Sequence, residues 1–192
     1  MSSSPLPVPM PAPVRLNPGG SLTGAVATST RTLADLGGIF ADEVAREAMP
    51  HGTVVYRVES FTPVDPGTSG GLFFGTSFLE AGRVGDEFFM TRGHVHERAE
   101  AAEFYWGIEG EGILLMMDED RAIRAETVVP GSVHYVPGRA AHRLVNTGSE
   151  RLAVGACWPA DAGHDYGTVS DKGFAARVRL IDGEPQLTNF DV

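Results

Sequence analysis

Hydrophobic and polar positions change their spacing along the chain, and each change marks a different kind of structure. Between Thr30 and Met49, Leu33 and Leu36, then Ile39, Phe40 and Val44, recur about one helical turn apart, with Asp42, Glu43 and Glu47 on the other side. This spacing predicts helix, and Gly37-Gly38 splits it into a short turn and a helix proper. Beyond Pro50 the pattern becomes a series of short runs rich in β-branched and aromatic residues. The runs predicted as strands are 54–58, 72–79, 87–91, 103–109, 112–117, 122–129, 133–136, 143–145, 152–158 and 176–181. Glycine-bearing breaks such as Gly67-Thr68-Ser69-Gly70-Gly71 and Gly110-Glu111-Gly112 separate them. Many short strands at regular spacing predict an all-β fold, a sandwich or barrel of antiparallel sheet, with a short N-terminal helix.

The first eighteen residues follow neither period. Six of the thirteen prolines fall there, and Pro5, Pro7, Pro9, Pro11 and Pro13 alternate with other residues, removing every second backbone donor and forbidding a helix. Polyproline II, or an extended arm on a sheet edge, is the natural state. Leu6, Val8, Met10 and Val14 give that arm an apolar character suited to packing on its own domain or on a partner subunit. No repeat and no second compositional regime follows, so residues 1–18 read as a Pro-rich arm and 19–192 as one domain.

Charge narrows the partners. Fifteen Lys and Arg against twenty-five Asp and Glu leave a net charge of −10, which argues against nucleic acid and anionic lipid, both of which need basic surfaces. Lys172 is the sole lysine, so an anion site must use arginines, hydroxyls and backbone amides. Cys157 is alone, excluding an internal disulfide and a cysteine-built zinc site. No apolar run approaches the roughly 20 residues of a membrane helix, and no basic-then-apolar leader is present. The expectation is a soluble, cytoplasmic protein.

Candidate chemistry gathers on histidines. His94 and His96 are one residue apart, so on an extended segment both imidazoles project to one side, an arrangement suited to a divalent transition metal. Seven positions beyond His96 stands Glu103. If residues 97–102 connect a hairpin, Glu103 returns beside the histidines on the adjacent strand. His142, after the turn at 136–141, can add a fourth ligand from a distant strand. A His-x-His pair by itself is more often structural; the whole set raises its weight.

These residues resemble the cupin superfamily. Its first motif, Gly-x5-His-x-His followed by Glu and then x6-Gly, is matched by His94, His96, Glu103 and Gly110. Its second, Gly-x5-Pro-x-Gly-x2-His-x3-Asn, is matched by Gly131, Pro137, His142 and Asn146, with Arg139 where the inner glycine belongs. The stretches 84–94 (VGDEFFMTRGH) and 159–167 (PADAGHDYG), with the long His-to-Glu spacing, are similar to the cupin-type glucose-6-phosphate isomerases, over about residues 33–181.

The resemblance implies a cupin jelly-roll barrel holding one divalent metal per subunit on His94, His96, Glu103 and His142. That metal is iron(II) by family habit, with Mn, Ni or Zn as alternatives. It implies interconversion of glucose 6-phosphate and fructose 6-phosphate, with Glu103 as ligand and proton carrier and with Tyr105 and His164 beside it as catalytic residues. Ser77, Thr91 and Gly93 would hold the phosphate, with Arg92 or Arg98 adding charge, and Tyr105, His164 and Tyr166 the sugar. Arg139 and Trp158 stand where relatives carry tyrosines. His51 and His134 have no matching role and read as structural or exposed. A homodimer is implied, in which an arm such as residues 1–18 can cover a partner's sheet edge. The competing classes are a cupin dioxygenase with the same ligands and a non-catalytic sugar-binding cupin. The 159–167 stretch favours the isomerase.

Overall fold

The computed structural model describes residues 13–167, 169 and 173–189. The chain opens with β1 (Val14–Leu16) and β2 (Leu22–Gly24), a small antiparallel pair closed by a 3₁₀ turn at Pro18–Gly20. Residues 1–12 of the predicted arm lie outside the described residues. Next come β3 (Ala27–Thr32), a 3₁₀ turn at Leu33–Leu36, the helix α1 (Glu43–Ala48), β4 (Val54–Phe61) and β5 (Leu72–Leu79). The two short strands β6 (Arg83–Val84) and β7 (Glu87–Phe88) precede β8 (Glu103–Glu109), β9 (Gly112–Met117), β10 (Ile123–Val128) and β11 (Val133–Val136). The chain closes with β12 (Ala141–Asn146), β13 (Leu152–Pro159), β14 (Ala176–Ile181) and β15 (Glu184–Asn189).

Every strand pairing is antiparallel. A six-stranded sheet runs β11-β8-β13-β5-β4-β3. Facing it are a three-stranded sheet, β10-β9-β12, and a four-stranded one, β15-β14-β7-β6. Leu79, Val154 and Tyr56 from the first sheet meet Leu114, Met116 and Leu144 from the second and Phe88 and Val178 from the third in one buried core. The all-β expectation therefore holds, as two layers of antiparallel sheet. Asn146 ties the end of β12 to β5 and to the turn that follows it: its amide donates to Leu79 O (3.0 Å) and Glu150 O (2.9 Å) and its Oδ1 accepts from Gly148 N.

β9 reads as a continuous apolar run because both of its faces are covered. Leu114 and Met116 enter the main core, while Leu115 and Met117 pack under Phe174 and Ala141. Several expectations need correction. Thr30 to Thr32 belong to β3, an edge strand whose six residues offer no apolar alternation and so gave no strand signal. The helix is confined to Glu43–Ala48, capped by Asp42, whose carboxylate accepts from Ala45 N at 2.8 Å. Val44, assigned to its apolar face, is 81 % exposed. The helix turns Arg46 inward instead, tied to Leu33 O and to Glu43. The strand expected at 87–91 shortens to Glu87–Phe88, with Met90 bridging to Val145.

One buried ion pair fastens the β14/β7 layer to the turn before α1. Arg177 meets Glu87 at 2.6 Å and donates to Ile39 O at 2.9 Å, while the other Glu87 oxygen accepts from Ala41 N at 2.8 Å. Both side chains are buried. Removing one partner leaves the other an uncompensated charge out of water. Arg177→Met is expected to lower unfolding free energy by about 3–5 kcal/mol in urea titration, and a loss below about 1 kcal/mol would show the pair to be dispensable.

Candidate metal centre and its cavity

His94, Val95 and His96 lie on an extended stretch along the free edge of β12, where His94 and His142 exchange backbone hydrogen bonds (3.2 and 3.0 Å). His142 is thus the neighbour in the sheet, not the distant contributor expected. Glu103 begins β8, whose partners are β11 and β13, so it reaches the histidines from across the barrel and not from an adjacent hairpin strand. The two assignments exchange places because residues 97–102 cross between the sheets.

The four side chains converge all the same. One ligand atom from each of His94, His96, Glu103 and His142 lies within 4.8 Å of the others. Glu103 Oε1 is 2.6 Å from His142 Nε2 and 3.7 Å from His96 Nε2. These buried atoms, with His94 Nε2, make no aligned hydrogen bond among the described residues. They aim at a common point, and burying four polar atoms in that state is costly unless something occupies it. The far nitrogens fix the tautomers: His96 Nδ1 lies 2.8 Å from Ala101 O and His142 Nδ1 3.1 Å from Ala140 O, which presents each Nε2 lone pair to the centre. Three neutral imidazoles and one carboxylate fit a divalent transition metal.

Electrostatics follow from the same crowding. Burial, then the neighbouring His142, His164 and His96, pull the His94 pKa far down, keeping it neutral. Burial pushes the Glu103 carboxyl up, but His142, His96 and the Tyr105 hydroxyl outweigh it and hold it below the usual carboxylate range. Burial likewise works against a charged His142, yet Glu103 beside it raises its pKa above the ordinary histidine value. Burial and the adjacent Glu103, to which it donates, push the Tyr105 phenol well up.

The centre opens into a cavity of about 250 Å³. Ser77, Thr91, Gly93, Tyr105, His164 and Tyr166 all line it, so the structure brings these six residues together in one cavity. Glu103 and Tyr105 share one face of β8 by strand alternation. The His164 ring stacks on Tyr166 (6.1 Å, 10°) and sits 4.5 Å from the His94 ring. Burial, then His96, lowers the His164 pKa. Thr91 Oγ1 accepts from Leu144 N at 3.0 Å, which leaves its own hydrogen to donate. Gly93 has φ +78° and no room for a side chain: an added Cβ would stand 2.8 Å from the Phe174 ring and 3.0 Å from Arg143 Nε. Arg143, buried against Phe174, also donates to Arg92 O at 2.8 Å, and burial with Arg177 nearby lowers its pKa to about 9.

Other assignments resolve differently. Arg92 lines the cavity, whereas Arg98 pairs with Asp161 at 2.9 Å and does not. Arg139 lies outside it, paired with Glu100 and Glu119, and takes the glycine-like φ of +65° that the motif position demands. Trp158 still lines the cavity, edge-on to Phe73. His134 is buried and structural, held by Glu126 (2.6 Å) and Ser132 (2.8 Å), while His51 is exposed. Sequence reasoning missed Arg31 and Tyr56, opposite each other in the β3/β4 register and both in the cavity. Period two along Tyr56, Val58 and Ser60 was the available signal for Tyr56.

A His₃Glu cluster between two layers of antiparallel sheet, open to a polar cavity, makes a candidate site for a divalent metal. Residues 30–190 match the glucose-6-phosphate isomerase family, and the chain belongs to that family. It is 42 % identical over 160 residues to a glucose-6-phosphate isomerase of Thermococcus kodakarensis, covering 83 % of this chain and 84 % of that protein. With the enzyme of that name from Pyrococcus furiosus it shares 39 % over 172 residues, 88 % of this chain and 89 % of the other. With that from Sinorhizobium medicae it shares 39 % over 166 residues, 85 % and 76 % respectively.

Metal binding should depend on pH with a definite sign. The ligands bind deprotonated, and His142, whose pKa is raised, protonates first as pH falls. Calorimetric titration of metal-free protein with Mn²⁺ should give one site per chain, with affinity beginning to fall above the ordinary histidine value of about 6.5. Affinity constant from pH 8 to 5 would contradict the assignment.

Proposed function

We propose that the chain interconverts glucose 6-phosphate and fructose 6-phosphate at a divalent metal held by His94, His96, Glu103 and His142. The observation that carries this reading is the meeting, in one cavity, of that cluster with Ser77, Thr91, Gly93, Tyr105, His164 and Tyr166. A divalent cation at this centre would polarise the sugar carbonyl and stabilise negative charge developing on its oxygens.

The protein's own groups carry the rest. Glu103 takes the proton from C2 of the open-chain aldose and delivers it to C1, while the hydroxyl proton passes from O2 to O1, so the isomerisation is balanced with no net gain or loss of protons. Its depressed pKa keeps it ionised and ready to accept. Tyr105, which donates to Glu103, orients that carboxylate. His164, neutral because its pKa is lowered, accepts a hydrogen bond from a sugar hydroxyl beside Tyr166. The Thr91 hydroxyl, Ser77 and the Gly93 backbone receive the phosphate, with the charges of Arg31 and Arg92 in the same cavity. With a net charge of −10, local donors and not long-range attraction must hold that dianion.

Three finer features belong to the same reading. The metal is iron(II), since mixed imidazole and carboxylate ligands suit it. The assembly is a homodimer, for which β11 offers an open edge: among the described residues no strand pairs with its outer side. The compartment is the cytoplasm, consistent with a single cysteine. No helix among the described residues is long and apolar enough to cross a membrane.

The direct test is isomerase turnover under exclusion of dioxygen, with and without exhaustive chelation. Loss on chelation and recovery with metal are expected; turnover that needs dioxygen would favour a dioxygenase. Glu103→Gln with the metal site shown to be full should lower kcat by about 10²–10⁴, the worth of general-base catalysis, and slow deuterium exchange at C2. A variant that stays fast would leave Glu103 a ligand alone. Thr91→Val should raise KM for the phosphate ester by a factor equivalent to about 1.5–3 kcal/mol, with kcat little changed. Equal turnover of free glucose would contradict the phosphate assignment.

A further inference from the structure

Behind the Thr91–Gly93 turn lies a cation that the isomerase reading leaves without a task. Arg143 is only 4 % exposed and is not part of the cavity lining. Among the described residues it makes no ion pair: Glu87, whose field reaches it, is already joined to Arg177 at 2.6 Å. Its Nη1 donates to the Met90 sulfur at 2.9 Å, and its guanidinium carbon stands 4.0 Å from the centre of the Phe174 ring. Its buried Nε has no hydrogen-bond partner. Buried charges are ordinarily paired, because an isolated one forfeits its hydration with nothing in return. For Arg143 no described carboxylate does this.

The backbone carries that charge to the cavity wall. Met90 stands opposite Val145 and His94 opposite His142, so the 90–94 segment holds one residue more than the stretch of β12 beside it. This is a β-bulge, a device that re-aims groups beside a site. It falls at Arg92 and Gly93, since Thr91 N still donates to Leu144 O at 2.9 Å, and Gly93 takes φ +78° there. At the bulge the Arg92 carbonyl is taken by a side chain: Arg143 Nη2 donates to it at 2.8 Å. The Gly93 N–H is the other half of the same peptide unit, and it donates to no group among the described residues. An added Cβ on Gly93 would stand 3.0 Å from Arg143 Nε. A bare glycine backbone therefore stands between the guanidinium and the cavity that Gly93 lines.

We infer that Arg143 is a positioning residue for the phosphate: from behind the turn it holds and polarises the Arg92–Gly93 peptide, aiming the Gly93 N–H at a bound dianion whose charge it balances. The inference rests on the phosphate site proposed above and names the group that sets its preference for an anion. A carbonyl that accepts from a cation draws electrons out of its amide, which makes the attached N–H a stronger donor. The charge itself acts across a short, water-poor path, where salt screens it little. Because Arg143 stands outside the cavity of about 250 Å³, it favours the phosphate without taking room from the sugar. It touches no substrate atom and acts through one peptide bond.

The test measures sorbitol 6-phosphate binding by calorimetry in full-length wild-type, Arg143→Met and Arg143→Lys chains, with Mn²⁺ affinity and isomerase turnover on the same samples. Arg143→Met should weaken sorbitol 6-phosphate at least about tenfold, the worth of a hydrogen bond to a charged group. The same loss should appear in KM for glucose 6-phosphate, with kcat and Mn²⁺ affinity little changed. Arg143→Lys, which keeps a charge and a donor, should recover part of that loss. Equal affinity in all three chains would overturn the inference, and so would a parallel fall in Mn²⁺ affinity, which marks a merely structural residue. The zinc-loaded wild-type chain gives a reading that needs no stable Met variant. Its Arg143 Nε–H resonance, assigned by its loss in Arg143→Lys, should shift with inorganic phosphate and stay in place with sodium chloride of equal ionic strength. No shift at saturating phosphate would overturn the inference. Binding is read apart from turnover: Arg143-dependent binding in a chain that does not isomerise would contradict the proposed reaction and support this inference.

Discussion

The structure is organised around four buried ligand atoms that must point at one place. Three imidazole nitrogens and a carboxylate oxygen, from segments on opposite layers of the barrel, converge within 4.8 Å. Bringing them out of water without an occupant would be a heavy penalty. Much of the surrounding framework serves to hold that aim. The Ala101 and Ala140 carbonyls fix two ring orientations. The His94–His142 backbone bridge fixes the spacing of two segments, and β8 delivers Glu103 and Tyr105 on one face.

The same framework lines the cavity with two kinds of group: the histidine and carboxylate cluster, and the hydroxyls of Ser77 and Thr91, the Gly93 turn and the arginines Arg31 and Arg92. That turn is rigid for a physical reason: Gly93 is pressed between Phe174 and Arg143, and Arg143 holds the Arg92 carbonyl from behind. On the proposed reading, these groups would align a substrate carrying both a phosphate and a carbonyl. Orientation of this sort supplies much of an enzyme's advantage over solution chemistry.

The sequence showed some of this clearly and some not at all. Strands β5, β8, β9, β11 and β14 were legible to the residue because their apolar runs are sharply bounded by glycine and polar turns. β3 was illegible: an edge strand of Thr, Ser, Ala and Arg buries too little to carry a period-two signal. With it went Arg31, which that strand places in the cavity. Helical spacing misled at Val44, because a six-residue helix fixed by Arg46 and its Asp42 cap owes its orientation to polar contacts and not to an apolar stripe. The grouping of the four candidate ligands could be read from motif spacing. Which layer each came from could not, because spacing does not say whether a loop turns back or crosses over.

The central claim is that this convergence holds a metal against the reactive end of a sugar phosphate whose phosphate lies at the Thr91–Gly93 turn. Anomalous diffraction from crystals loaded with Mn²⁺ and soaked with fructose 6-phosphate tests it most directly. The account predicts one manganese peak in ligating contact with His94, His96, Glu103 and His142, with the sugar's C1 and C2 oxygens toward it and the phosphate against Thr91 and Gly93. A peak elsewhere, or a sugar phosphate bound with its phosphate toward the histidines, would contradict it.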